Sequence, residues 1–233
     1  MEANTRQFVR GLPANNVLLW GARGTGKSSL VHALLNAYGP EGLRLVEIPR
    51  NAISGLPAVL DALATAPQRF ILFCDDLSFE ADDPAYKVLK SVLDGSMFAA
   101  TDNVLIYATS NRRHLMPESL AENLEARHDA RGEVHPGEST EEKVSLSDRF
   151  GIWVSFQAFP QGQYLDVAEH WVKTLARQHG VAVAWDDGAR SDALRWALTR
   201  GARSGRVANQ FARHHVGQAG LAAASASSAP TRS

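Results

Sequence analysis

An α/β fold, built on a parallel sheet of about five strands and followed by an all-helical C-terminal lid, is predicted by three observations. Short apolar runs alternate with stretches of helical periodicity between residues 16 and 156, the pattern of strands joined by crossover helices. A glycine-rich octapeptide separates the first apolar run from the first helix. From Gly162 onward only helical patterns remain. Such alternation places helices on both faces of the sheet, and ligands of such sheets bind at the carboxyl ends of the strands.

The elements follow in order. Asn16 to Trp20 (NVLLW) has the length and composition of a buried strand, and Ser29 to Tyr38 (SLVHALLNAY) carries apolar residues at helical spacing. Arg44 to Ile48 reads as the second strand and Leu56 to Ala64 as a helix. Arg69 to Cys74 (RFILFC) is the third strand, Pro84 to Leu93 a helix, Val104 to Ala108 the fourth strand and Ile152 to Phe156 the fifth. Residues 126–142 (ARHDARGEVHPGESTEE) are polar with Gly and Pro, and are expected to form a long exposed loop. His128 and His135 in that loop lack ligand spacing and are read as solvated rather than metal-binding. The C-terminal helices are expected over Tyr164 to Gln178, Asp187 to Thr199 and Gly205 to Val216. The expected division is a base domain over 1–159, a helical domain over 160–217 and a disordered Ala/Ser-rich tail over 218–233.

The octapeptide Gly21 to Ser28, GARGTGKS, fits the phosphate-binding pattern G-x-x-x-x-G-K-[ST] in the strand-to-helix context that the pattern requires. Gly21, Gly24 and Gly26 let the backbone take conformations closed to other residues, so successive N–H groups turn inward around Ala22, Arg23 and Thr25. The first turn of the next helix, Lys27, Ser28 and Ser29, adds free N–H groups and the positive end of its dipole. Lys27 supplies a charge for the β and γ phosphate oxygens, and the Ser28 hydroxyl a ligand for Mg²⁺. The chain is therefore expected to bind a nucleoside triphosphate. GTP is disfavoured, because no N-K-x-D base-reading motif follows the fourth strand.

The third strand ends in Asp75 and Asp76. A carboxylate at the end of such a strand is where P-loop enzymes orient the Mg²⁺ shell, and Asp75 is assigned that role. Asp76 is placed to face the γ-phosphate and polarise the attacking water. The alternative is that the two acids cap the next helix or face solvent.

Composition narrows the remaining choices. Basic residues number 24 and acidic residues 25, so the overall charge makes no case for nucleic acid or an anionic membrane. Cys74, the only cysteine, lies in an apolar run and is read as a buried strand residue in a reducing compartment. No run approaches the roughly 18 to 20 apolar residues of a membrane span, and the N-terminus has no secretory signal; a cytoplasmic protein is expected.

The linked blocks NNVLLWGARGTGKSSLV, FILFCDDLSFE, NVLIYATSNRRHL and LSDRFGIWVSF resemble the AAA+ ATPases, and within them the bacterial family DUF815. The resemblance runs from about Asn4 to about Val216. It implies strand order 5-1-4-3-2, a helical lid, and ATP with Mg²⁺ held between lid and base. Residues before Asn4 are too few for the N-terminal helical region of that family, so the chain is expected to be truncated there.

Further site residues follow from the resemblance. Asn111, in VLIYATSN, looks like the sensor that hydrogen-bonds the γ-phosphate or attacking water; Ser110 is the second candidate, and a turn cap is the alternative role. Arg149, in SDRFG, stands where ring-forming AAA+ proteins carry an arginine finger, which implies self-association; its alternatives are a surface arginine or an ion pair with Asp148. Arg206, in SGRVANQF, is similar to the lid arginine on the phosphates, with Arg203 second. Five arginines and no acids lie between Ala193 and Gly217. They are read as a solvated face with one arginine on ATP rather than a nucleic-acid surface.

One departure bears on turnover. Most AAA+ proteins end the third strand in Asp-Glu, and Asp76 is one methylene shorter; a shift of about 1 Å in a catalytic group costs on the order of 10²-fold. Glu80 is a further acid that could compensate. The expected function is a slow Mg²⁺-dependent ATPase that couples nucleotide state to movement of lid or ring, acting on a client the sequence does not identify. The alternatives are a nucleotide-gated binding module without turnover, or a P-loop kinase with a small acceptor.

Overall fold

The computed structural model describes residues 1–79, 83–95, 102–113, 115, 127–128, 134–135 and 146–227. Glu80 and most of the expected loop over 126–142 lie outside the described residues.

In chain order the elements are α1 (Glu2–Val9), β1 (Val17–Gly21), α2 (Lys27–Tyr38), β2 (Leu43–Glu47), α3 (Leu56–Leu63), β3 (Arg69–Cys74), α4 (Pro84–Leu93), β4 (Val104–Ser110), β5 (Arg127–His128), β6 (Val134–His135), β7 (Ile152–Phe156), α5 (Gln161–His179), α6 (Asp187–Thr199) and α7 (Gly205–Ser227). Five strands form one sheet in the order β2-β3-β4-β1-β7, and every pairing in it is parallel. This is the expected 5-1-4-3-2 order, with β7 as the fifth strand.

The chain divides into two compact units. The first comprises Met1–Gly21 and Lys27–Phe156, the second Ala22–Gly26 and Gln157–Ser233. In the first unit the period-2 alternation of the strands sorts side chains to two faces. Leu18, Leu72, Cys74, Ile106 and Ala108 point to one face and pack with Leu56 and Leu60 of α3 and Tyr86 and Leu89 of α4. Val17, Leu19, Ile71, Phe73, Leu105 and Tyr107 point to the other, against Phe8 of α1 and Val31, Leu34 and Tyr38 of α2. Both faces are thus covered, which is why the central strands read as unbroken apolar runs. Cys74 is fully buried and burial pushes its thiol up to about 12, in keeping with a packing residue.

Local signals set several boundaries. Asp83 caps α4 by accepting the Ala85 N–H at 3.0 Å, with Pro84 at the first helical position. Asp186 caps α6 by accepting the Ala189 N–H at 2.9 Å. Gly180 ends α5 with φ 66°, the left-handed conformation that glycine adopts without steric cost. The second unit has its own core, in which Tyr164, Val172 and Leu175 of α5 meet Ala193 and Ala197 of α6 and Phe211 and Val216 of α7.

Three features differ from expectation. Helix α1 was not foreseen; Asn4 and Thr5 dock it on the sheet, with Asn4 Nδ2 donating to the Tyr107 hydroxyl at 3.1 Å and Thr5 Oγ1 in a 2.8 Å hydrogen bond with the same oxygen. Helix α7 continues to Ser227, so residues 218–227 are helical rather than disordered, as their alanine content favours. Within the segment read wholly as loop, β5 and β6 pair antiparallel, Arg127 opposite His135 and His128 opposite Val134.

Candidate nucleotide site

The site grows out of the carboxyl ends of β1, β3 and β4, which are sheet neighbours through β4. After β1 the chain turns through three glycines with positive φ, Gly21 at 125°, Gly24 at 73° and Gly26 at 102°. The requirement at Gly21 is also steric, because a Cβ there would lie 2.1 Å from the Phe156 carbonyl oxygen. Within the turn, Thr25 is buried and its hydroxyl donates to the Ala22 carbonyl at 2.7 Å. Arg23 and Ser29 are exposed.

Lys27 opens α2 and is only 7% exposed. Its ammonium donates to the Gly21 carbonyl at 2.8 Å and to Asn111 Oδ1 at 3.2 Å. The Asn111 amide also donates from Nδ2 to Asp76 Oδ1. Its orientation is fixed by chemistry, since an ammonium can only donate and a carboxylate can only accept.

The tip of β3 is tied to both neighbours. Asp75 Oδ1 accepts the Ser28 hydroxyl at 2.7 Å and the Thr109 hydroxyl at 2.5 Å. Asp76 has φ 51°, and among the described residues it is the one non-glycine with positive φ. This left-handed backbone is open to Asp but uncommon. Its N–H donates to Thr109 Oγ1 at 2.8 Å, and the next residue, Leu77, donates its N–H to the Thr109 carbonyl at 2.7 Å. Thr109 is thus a site residue that sequence reasoning passed over in favour of Ser110 and Asn111. Ser110 is buried and points elsewhere, its hydroxyl donating to the Leu77 carbonyl at 2.8 Å.

The described residues therefore bring Lys27, Ser28, Asp75, Asp76 and Asn111 into one hydrogen-bonded group. The Arg149 guanidinium forms a half-buried ion pair with Asp94, just beyond α4, where the sequence offered Asp148 as its partner. In the second unit, the exposed Arg206 anchors its backbone to the phosphate loop, its N–H donating to the Gly24 carbonyl at 3.2 Å. A Cβ on Gly24 would come within 2.9 Å of Ser204 Oγ and 3.1 Å of Arg206 Cβ, so glycine is needed there for this close approach. The Arg203 carbonyl accepts the Phe159 N–H at 3.1 Å.

The donor set can be tested against the metal that such a loop implies. Among the described residues no group of three or more His, Cys, Asp or Glu side chains is placed to hold an ion. Ser28 beside Asp75 provides hard oxygens with a single carboxylate, which fits Mg²⁺, an ion held through one or two carboxylates plus substrate phosphates. With its hydrogen given to Asp75, the Ser28 oxygen keeps lone pairs for a cation.

The sheet order, the glycine loop and the C-terminal helical region define the class: an AAA+ fold of the P-loop NTPase type. The chain belongs to the family described as "Protein of unknown function (DUF815)", whose family model matches residues 1–219. Among solved structures it is similar to the Thermotoga maritima RuvB Holliday junction branch migration motor, with 15% identity and TM-score 0.54 over 91% of this chain and 57% of that one. A single-residue variant of that motor gives 16% identity and TM-score 0.57 over 91% and 57%. The chain thus spans little more than half the length of these proteins, and at such identity the likeness is one of fold. No curated protein matches the chain significantly. Among the described residues no helix is long and apolar enough to cross a membrane.

Proposed function

We propose that the protein binds ATP with Mg²⁺ on the glycine loop and hydrolyses it slowly, using the nucleotide state to shift its helical lid or its assembly with other copies. The observation that carries this reading is the 2.7 Å hydrogen bond from Ser28 to Asp75, which joins the glycine loop to the acidic tip of β3 and so supports a shared ion site there. Lys27 would neutralise the β and γ oxygens, and Ser28 with Asp75 would hold the ion. Bound Mg²⁺ would supply charge stabilisation between the β and γ phosphates.

Asp76 is the proposed base and Asn111 its partner toward the attacking water. The hydrogen bond between them engages the carboxylate that must accept a proton, which supports slow turnover. Arg206 is the proposed lid contact to the γ-phosphate, supported by its backbone bond to Gly24. A contact made with ATP and lost with ADP shifts a conformational equilibrium by its own differential free energy.

Arg149 is the proposed trans-acting arginine, which would leave Asp94 to reach a neighbouring copy's phosphate. The test is the specific ATPase rate measured against protein concentration. A rise with concentration that Arg149→Ala abolishes, with ATP binding retained, is the expected result; arginine fingers contribute about 10³ to 10⁵ in rate. A concentration-independent rate, unchanged in the variant, removes Arg149 from the site.

A further inference from the structure

Thr109 lies near the carboxyl end of β4 and is 1% exposed. A buried β-branched strand residue needs no hydroxyl for packing, and valine would serve as well. Here the hydroxyl is used twice. It donates its one hydrogen to Asp75 Oδ1 at 2.5 Å and accepts the Asp76 N–H at 2.8 Å. The direction of both bonds is forced, because a carboxylate has no proton to give and an amide N–H has no acceptor role.

Two consequences follow from this geometry. Asp75 Oδ1 receives two hydroxyl donors, Ser28 and Thr109, which together fix the carboxylate plane. The Asp76 backbone, at φ 51°, is held in its left-handed conformation by the same hydroxyl, so the direction of the Asp76 side chain depends on it. One side chain thus sets both acids. This matters more here than where a glutamate ends the strand, because the shorter Asp76 has less reach to correct an error of aim.

We propose that Thr109 is a positioning residue whose hydroxyl aims the ion-orienting Asp75 and the base Asp76 together; this rests on the reading of the site as an Mg²⁺–ATP site. The experiment follows binding of a fluorescent ATP analogue as Mg²⁺ is titrated, for the full chain and for Thr109→Val, Thr109→Ser and Asp75→Asn. Thr109→Val is expected to need about tenfold more Mg²⁺, the worth of one hydrogen bond to a charged group, with binding in excess EDTA unchanged because Lys27 is untouched. Thr109→Ser, which keeps the hydroxyl, is expected to restore the wild-type Mg²⁺ midpoint. A wild-type midpoint in Thr109→Val, or a Thr109→Ser as impaired as the valine variant, overturns the proposal. If Thr109→Val does not fold, Thr109→Ala is read by the same criteria. Asp75→Asn separates the two levels of inference: should it keep the wild-type Mg²⁺ response, the site reading itself falls.

Discussion

Replacing Gly21 by alanine should break the junction at which β1 hands the chain to the phosphate loop. Its φ of 125° lies beyond even the small left-handed basin that other residues use, and backbone strain of that kind costs about 1–3 kcal/mol. The added Cβ would also stand 2.1 Å from the Phe156 oxygen, 2.9 Å from its carbonyl carbon and 3.0 Å from its nitrogen, where ordinary contacts are roughly 3.5 Å or more. All three atoms are backbone, so no rotamer change relieves the clash. Relief requires β1 and β7 to part where Gly21 faces Phe156 in register, losing one or two ladder bonds at about 1 kcal/mol each.

The combined cost is about 2–5 kcal/mol. Gly26→Ala is the internal control: φ is again positive, at 102°, but no atom lies within 4 Å of the new Cβ. That variant should lose only the conformational 1–3 kcal/mol, about 2–4 °C in Tm for each kcal/mol in a chain of this size. Urea unfolding of both variants, followed by circular dichroism, gives the comparison through the shift in midpoint at constant slope. Equal destabilisation of the two, or a Gly21→Ala within about 1 kcal/mol of wild type, would refute the argument that Phe156 dictates the glycine.

Three further outcomes are expected. Lys27→Met should weaken ATP binding by about 10- to 100-fold, the worth of hydrogen bonds to a charged group, as measured by titration calorimetry; an unchanged Kd would refute its role. Asp76→Asn should bind ATP normally, since asparagine tolerates the left-handed backbone, while phosphate release falls by about 10²-fold or more; equal rates would exclude Asp76 as base. Asp83 accepts a hydrogen bond from Arg50 at 2.8 Å, which holds its carboxyl below the usual aspartate range. A folded-state pKa below the unfolded one makes this contribution complete above about pH 4 and lost as pH falls through the folded value. Asp83→Asn keeps a capping oxygen, so its stability deficit at pH 7, read from urea midpoints, should shrink in acid; a deficit independent of pH would count against the ion pair.

Much of the fold was readable because it is written in local patterns. Apolar runs of five or six residues marked β1, β3, β4 and β7, and the Asp83-Pro84 step marked the start of α4 through its own side-chain oxygen. The glycine loop was readable in part for the same reason, since Gly21, Gly24 and Gly26 each take a positive φ, though the close approach of Phe156 to Gly21 was not. What escaped depended on distant partners. The residues of α1 look solvated until Tyr107 stands beside Asn4 and Thr5. Arg149 has an acid next to it in sequence, yet it pairs with Asp94, 55 positions away. The tail beyond Val216 read as low-complexity chain, whereas the helix propensity of alanine extends α7 through it.

The amino-acid sequence by itself singled out the residues proposed for phosphate chemistry, Lys27, Ser28 and the acids at 75 and 76, because motif spacing and strand-end position are properties of one stretch of chain. Tertiary structure alone decided how they are held. Placing β4 between β3 and β1 brings a threonine hydroxyl onto two aspartates 33 and 34 positions earlier, and no local pattern carries that information. A hydrogen bond needs its partners within about 3 Å, and only the order of strands across the sheet sets which distant residues meet that condition.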